Sequence, residues 1–286
     1  MSFAVETVPP VTITPDTPKP PAGTVVEQTT GTVAITDPNS SSNPVTVRGQ
    51  VIVALATERA SVVLQDQASV TIGKDAAGNP LAIGGATINA SGARGVKVSL
   101  EGANAAGATV PPERLPRFLS GFLLSNSNRS SLQSEVAAEG SSSIENRSYN
   151  TFTQLSNGDD DYIGTEFNDA IQLYKGKDVV VGGGGSDAIL MDSSINKSKK
   201  KITLDREGST DATDDVILAK GALKKGKAKI VISDYNFRND TINLETNRKK
   251  VKGIGTDELK ISTKNGKHII IESDGTKFKR SGIEFI

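Results

Sequence analysis

Short runs in which apolar residues alternate with polar ones recur along most of the chain, and this period of two is typical of β-strands. The runs are rich in Val, Ile and Thr, and turn-forming residues such as Asp37, Asn39 and Gly92 separate them. No run approaches the roughly 18 apolar residues that a membrane-spanning helix needs. The pattern predicts an all-β protein without a transmembrane segment.

The predicted strands form two groups on either side of a short repeat. The first group comprises 32–36, 45–55, 61–64, 69–72, 86–88 and 96–100. The second comprises 201–204, 216–218, 229–233, 241–244, 259–263, 268–272 and 282–286. The first group is compatible with a sandwich or an irregular solenoid, and the pattern does not choose between them.

Composition changes sharply along the chain and predicts several modules. All 12 Pro residues lie before residue 117. We expect a disordered Pro/Thr-rich arm (1–23), a β-rich N-terminal module (24–124) and a Ser-rich linker (125–150). The repeat region (151–195) and a basic β-rich C-terminal region (196–286) follow. The apolar run 115–124 fits either a short helix or a buried loop.

Charge and rare residues exclude several functions. The 33 basic and 33 acidic residues cancel, which argues against a generally basic nucleic-acid binder. The chain has no Cys and a single His, His268, so disulfides, thiolate zinc sites, Cys nucleophiles and an HExxH zinc helix are impossible. No G-x-S-x-G nucleophile motif is present either. We therefore expect a protein that is not an enzyme.

The most informative feature is a repeat of nine residues that runs from Leu155 to Leu190. Its four blocks are LSNGDDDYI, GTEFNDAIQ, LYKGKDVVV and GGGGSDAIL. The sixth place of every block is Asp: Asp160, Asp169, Asp178 and Asp187. The eighth place is Tyr, Ile or Val, and Gly158, Gly176 and Gly185 fill the fourth place of three blocks. The last block, which includes Gly183, matches G-G-x-G-x-D-x-U-x at every specified place.

The repeat resembles the RTX, or haemolysin-type, calcium-binding family. The resemblance implies a short parallel β-roll with calcium-binding turns, closed by a C-terminal β cap, in which two blocks make one coil. Asp160 and Asp178 would then stack on one edge, and Asp169 and Asp187 on the other. It also implies Ca²⁺ as the bound ion, held by Asp160, Asp169, Asp178, Asp187, Gly158, Gly176, Gly183 and Gly185. Carboxylate and carbonyl oxygens are the ligands that Ca²⁺ prefers.

Two other interpretations of the repeat remain open. Asp and Gly are common turn residues, so the blocks could be ordinary hairpins. The run from Val181 to Gly185 could form a phosphate-binding loop, although neither the dinucleotide nor the P-loop pattern fits.

The segment from Ile232 to Leu244 resembles the stretch that often follows RTX repeats, with Tyr235 at the usual place of Phe. The family resemblance implies secretion by a type I system to the cell exterior. We expect a calcium-binding structural or adhesive protein of the cell surface. The alternatives are an extracellular glycan-binding module and a hydrolase with an RTX tail. The basic surplus of the C-terminal region is either a solvated surface or a contact site for cell-surface polysaccharide or an S-layer.

Overall fold

The computed structural model describes 83–90, 93, 95–100, 103–105, 108–111, 114–116, 148–205, 212–224, 226–263 and 266–286, and before residue 83 only six strands. The predicted arm (1–23), the run 117–124 and the linker up to residue 147 lie outside these residues. Within the described residues the protein is mostly β and has two mainly parallel sheets.

Successive strands alternate between the two sheets. The first sheet, in spatial order, contains β1 (Val25–Glu27), β3 (Val45–Arg48), β5 (Ser61–Leu64), β7 (Ala86–Asn89), β9 (Thr151–Gln154), β11 (Asp169–Gln172), β13 (Ala188–Met191), β15 (Asp215–Leu218), β17 (Thr241–Leu244) and β21 (Ile283–Phe285). The second sheet contains β18 (Val251–Lys252), β19 (Glu258–Ser262), β20 (His268–Ser273), β16 (Ala228–Ser233), β14 (Lys199–Asp205), β12 (Lys177–Gly183), β10 (Asp161–Ile163), β8 (Lys97–Ser99), β6 (Ser69–Ile72), β4 (Gln50–Leu55) and β2 (Thr32–Ile35). A short helix (Lys220–Leu223) and two 3₁₀ turns (Arg248–Lys250 and Arg280–Gly282) complete the described elements.

Pairing is parallel throughout except where β19 pairs with β18 and β20. Two consecutive strands, one in each sheet, therefore make one circuit of the chain. Equivalent strands of consecutive circuits lie side by side in the same sheet. The repeat strands pair in parallel, β10 with β12 and β11 with β13, so the interpretation as ordinary hairpins is wrong. The ladders also join β8 to β10 and β7 to β9, on either side of residues 100–148.

Most predicted strands are found within one or two residues of their expected bounds, but the run 45–55 is a correction. It forms β3 and β4, which lie in different sheets. Each described strand of this part of the chain is three to six residues long, so a run of eleven apolar-rich residues contains two strands rather than one.

The core lies between the sheets and is built from in-register rows of branched apolar side chains. In the first sheet Ile171, Ile189, Val216, Ile242 and Ile283 occupy equivalent places in five neighbouring strands and are fully buried. A row from the second sheet belongs to the same apolar cluster: Tyr162, Val180, Ile202 and Ile232. β-branched residues suit this arrangement because their side chains pack well on a pleated surface.

The outer faces of the two sheets differ. On the first sheet, outward residues such as Ala170, Leu190 and Ile217 are buried in a second apolar cluster with Val110 and Leu115. On the second sheet, exposed and buried positions alternate along β12 and β14, so its outer face meets solvent. Leu115, the first residue of the predicted helix or loop, therefore packs on the covered face.

No helix in the described part of the chain is both long and apolar enough to span a bilayer.

Truncating the central core row should destabilise the protein strongly. We expect Ile189→Ala to lower the free energy of unfolding by about 2–5 kcal/mol, because it leaves a cavity between fully buried neighbours. Val179→Ala is the matched control: Val179 is 43% exposed on the outer face of β12, and its truncation should cost about 0.5 kcal/mol or less. Chemical denaturation measures both. Equal costs would show that the row is not a packed core.

Candidate functional site

The four Asp residues of the repeat are all buried, with at most 1% of each exposed. Each lies within the first two residues of a repeat strand or directly before it. Strand register places Asp160 beside Asp178 in the second sheet and Asp169 beside Asp187 in the first. The resemblance to RTX repeats implied this division between two edges, with each block supplying one turn and one strand.

On the first sheet the carboxylates form a column that extends beyond the repeat. The backbone N–H of Asp169 donates to Oδ1 of Asp187 over 2.8 Å, and that of Asp187 donates to Oδ1 of Asp214 over 2.7 Å. The N–H of Asp214 donates in turn to Oδ1 of Asp240 over 3.1 Å. We call Asp169, Asp187, Asp214 and Asp240 the carboxylate column. One carboxylate per circuit thus bridges to the backbone of the preceding circuit.

The same carboxylates also brace their own turns. Oδ2 of Asp169 accepts the N–H of Thr165, four residues earlier, over 2.7 Å. The N–H of Ser156 donates in the same way to Asp160 over 2.9 Å, and that of Asn236 to Asp240 over 2.7 Å. Asp169 accepts further bonds from the hydroxyls of Thr151 and Thr165. A buried carboxylate is tolerated here because hydrogen bonds replace the lost water.

On the second sheet the corresponding column contains a fixed cation. The N–H of Val96 donates to Asp160, and that of Asp160 donates to Oδ1 of Asp178. Lys200 occupies the next position in register, and its buried ammonium contacts the carboxylate of Asp178. The circuit after that places Ile230 in the same column. The column therefore runs from carboxylate to ammonium to an apolar side chain.

Glycine is required at two turns where consecutive circuits touch. Gly176 has φ +117° and Gly183 has φ +122°, values that side-chain-bearing residues rarely adopt. A methyl group at Gly176 would collide with the carbonyl oxygen of Gly158, and one at Gly183 with that of Thr165. Of the predicted glycine ligands, Gly158 and Gly176 are thus stacked. Gly183 is the last residue of β12, and Gly185 (φ +78°) lies in the turn between β12 and Asp187.

Two glycines mark points at which oxygen atoms of different circuits converge. A methyl group at Gly164 would meet the carbonyl oxygen of Gly182 and lie 2.7 Å from Oδ2 of Asp169. A methyl group at Gly182 would meet Oδ2 of Asp187 and lie 2.5 Å from the carbonyl oxygen of Leu204. Within the described residues, no three His, Cys, Asp or Glu side chains are close enough to hold a metal ion.

Burial shifts the acidity of these groups. It raises the pKa of Asp169 to about 6, although hydrogen bonds from Thr151 and Thr165 oppose the shift. Burial also raises the pKa of Asp160 and of Asp178, and the nearby Lys200 partly counters the shift at Asp178. The pKa of Lys200 is lowered by the same loss of solvent. The ion pair is therefore held at a cost in desolvation.

The repeat pattern missed Lys200, Asp214 and Asp240 because they follow at longer spacings than the preceding residues of their columns. A local signal was nevertheless available. Each Asp of the two columns begins the same three-residue pattern: Asp, any residue, and then an inward Val, Ile or Tyr. Examples are Asp187-Ala-Ile, Asp214-Asp-Val and Asp240-Thr-Ile. Lys200-Lys-Ile has the same phase with Lys in place of Asp.

Tyr235, two residues after β16, is 3% exposed and has a polar partner. Its hydroxyl donates to the carbonyl oxygen of Gly282 over 3.0 Å, just before the last strand. A Phe at this place would leave that bond unmade. This hydrogen bond therefore connects the turn after β16 to the residue that precedes the C-terminal strand.

A cavity of about 630 Å³ lies beside the short helix and contains none of the predicted site residues. Its lining includes Lys220, Lys224 and Lys250 and one acidic side chain, Glu245, which accepts the N–H of Lys220 over 2.7 Å.

No protein-family model, no curated protein and no solved structure matches the chain.

Removing the buried ammonium of Lys200 should destabilise the folded protein, because the Asp178 carboxylate then stays buried without a cation. We expect Lys200→Met to lower the free energy of unfolding at pH 7 by about 3–5 kcal/mol, because it leaves a buried carboxylate without its partner. Adding Asp178→Asn should recover part of that loss. Lys201→Met is the matched control, since Lys201 is exposed on the next residue of β14. Urea denaturation measures the four proteins, and a double variant no more stable than Lys200→Met would contradict the pairing.

The raised pKa of Asp169 predicts a pH effect of definite sign. Its folded-state pKa of about 6 exceeds the ordinary value of 3.8, so protonation favours the folded state. This contribution is complete below about pH 3.8 and is lost as the pH rises through about 6. In calcium-free buffer, the melting temperature of the wild type should therefore fall more between pH 4 and 7 than that of Asp169→Asn. Parallel pH profiles for the two proteins would refute the assignment.

Proposed function

We propose that the chain is a calcium-stabilised structural or adhesive protein of the cell exterior, in which RTX-type repeats form a short β-roll that is closed by a C-terminal cap. Its chemistry in this proposal is binding rather than catalysis. The observation that carries the proposal is the carboxylate column: four buried Asp residues, one per circuit, aligned along one edge of the first sheet.

The oxygen atoms around Gly164 and Gly182 suit a hard cation. Each point combines one carboxylate oxygen with one carbonyl oxygen of a neighbouring circuit. Ca²⁺ takes six to eight oxygen ligands and accepts irregular geometry, so carbonyl oxygens and water would complete its shell. In this proposal Asp169 and Asp187 are the principal ligands of the first edge, and Gly183 and Gly185 shape the turn beside them.

The second edge suits calcium less well. Lys200 already neutralises Asp178, and Asp160 accepts bonds from Ser156 and Val96. A calcium ion bound by Asp160 and Asp178, with carbonyls of Gly158 and Gly176, would have to compete with that ammonium. We therefore propose that the first edge binds calcium more tightly than the second.

Linkage between binding and folding explains how such a protein would be exported. A ligand that binds only the folded form adds RT ln(1 + [L]/Kd) to the free energy of unfolding. Scarce calcium inside the cell would leave the repeats unfolded for type I secretion, and abundant calcium outside would fold them. The absence of Cys is compatible with this route, because the fold then needs no oxidative step.

The proposal is tested by thermal unfolding of the full chain during a calcium titration. At about 10 mM Ca²⁺, sites of extracellular type with Kd near 10⁻⁴ M should each add about 2.7 kcal/mol. We expect a rise in melting temperature of several degrees with Ca²⁺ and a much smaller rise with Mg²⁺. Asp187→Asn should lose most of the calcium response.

Asp161→Asn is the matched control for that variant. It removes the same charge from an exposed residue that pairs with Lys97, and it should keep the full calcium response. A wild-type melting temperature that calcium leaves unchanged would refute calcium binding. An equal loss of response in both variants would show that net charge, and not the column, governs it.

A further inference from the structure

The exposed face of the second sheet carries a row of lysines that the carboxylate column does not involve. Register places Lys177, Lys199 and Lys229 side by side in β12, β14 and β16, and Ile270, Lys260 and Lys252 continue the same row through β20, β19 and β18. We call Lys177, Lys199, Lys229, Lys260 and Lys252 the lysine row. All five side chains are exposed.

The row is a concentrated and largely unneutralised charge. At a strand spacing of roughly 4.8 Å, six strands extend it over about 24 Å. Lys229 pairs with Glu272 over 2.8 Å, and no other lysine of the row has an ion pair with a described residue. Like charges directly opposite each other on neighbouring strands are destabilising. A bound polyanion would remove that repulsion.

Neighbouring residues extend the basic surface on one side. Lys201 is exposed in the next row, and Lys175, Lys197 and Lys227 are exposed in the turns that precede β12, β14 and β16. The N–H of Lys197 donates to the carbonyl of Lys227 over 2.6 Å, which holds two of these turns together. The acidic groups next to the row are Asp159, Asp161, Glu258 and Glu272. Asp159 accepts the N–H of Lys177, and Asp161 pairs with Lys97.

We propose that the lysine row binds a linear acidic polysaccharide lying along the direction in which the strands stack. The inference rests on the adhesive role proposed above and supplies its ligand class, but it does not depend on calcium. The length of one sugar is close to the strand spacing of roughly 4.8 Å. Lysines on neighbouring strands therefore meet neighbouring acidic sugars, and Ile270 leaves one sugar of the chain without a lysine. Thr203 and Ser233, paired in register about 13 Å further along β14 and β16, offer hydroxyls for hydrogen bonds to sugars.

The same surface lacks the features that nucleic acids favour. The outward positions of β12, β14 and β16 contain no aromatic side chain for base stacking and no Arg for bidentate contacts. The polysaccharide is therefore the occupant that the row fits best.

The test measures binding of full-length protein to chondroitin sulfate at low and moderate salt, with dextran, poly(dT) and vesicles of phosphatidylcholine with phosphatidylserine as comparisons. Replacing Lys177, Lys199 and Lys260 by Gln should weaken binding to chondroitin sulfate about tenfold or more and reduce the salt dependence. Arg at the same three positions should preserve binding. Because all three residues are exposed, the melting temperature should not fall.

The matched control replaces Lys220, Lys277 and Lys279, which are exposed and lie outside the row, by Gln and so changes the net charge equally. An equal loss of binding in both triple variants would overturn the proposal, as would equal affinity for dextran. Tighter binding to poly(dT) or to the vesicles would identify the wrong ligand class.

Parallel measurements in EDTA and in calcium separate this inference from the proposed function. Lysine-dependent binding without any calcium effect on melting would leave the inference standing and remove calcium from the function. A calcium response without lysine-dependent binding would support the proposed calcium function and overturn the polysaccharide inference.

Discussion

The need to satisfy carboxylates that are buried at the starts of strands constrains the rest of this structure. An ionised Asp in an apolar interior is prohibitively costly unless hydrogen bonds or a cation compensate it. Asp169 is compensated twice, by its own turn through Thr165 and by Thr151 of the preceding circuit. Its backbone N–H then compensates Asp187. The same carboxylate therefore fixes both the shape of its turn and the stacking of neighbouring circuits. A change in either one would leave the buried carboxylate without some of its hydrogen bonds.

The two edges meet this requirement in different ways. In the second sheet Lys200 brings a covalently attached positive charge to the place where another Asp would fall, and the next circuit continues with Ile230. In the first sheet the column continues through Asp214 to Asp240 on hydrogen bonds. An internal ammonium needs no ion from solution, whereas a column of carboxylates gains from one. This difference is why we propose that calcium binds more tightly at the first edge.

The sequence predicted the local features well and the long-range ones less well. The RTX resemblance of the nine-residue repeat implied which Asp residues lie side by side, because turn and strand lengths inside the repeat are constant. It could not predict Asp214 and Asp240, since the intervals after Asp187 are 27 and 26 residues and only the short pattern around each Asp survives. The division of 45–55 between two sheets was also missed, because alternation within a run does not reveal which sheet a strand joins. Burial of Leu115 on the outer face of the first sheet depends on contacts that no local pattern encodes.

The contrast between the two outer faces connects the fold to the adhesive function that we propose. An apolar face that packs against other parts of the chain stabilises the stack but is unavailable to a partner, as with Leu190 and Ile217 on the first sheet. The second sheet keeps its outer positions in solvent, and its lysines stand in register because parallel strands repeat the same phase. Parallel pairing in register therefore aligns lysines that recur at equivalent strand positions into one row of positive charge. The hydrogen bonds of the carboxylate column join successive circuits, and each of those circuits also supplies a strand of the second sheet. The lysine row that we propose as a binding surface is therefore built on circuits that buried carboxylates connect.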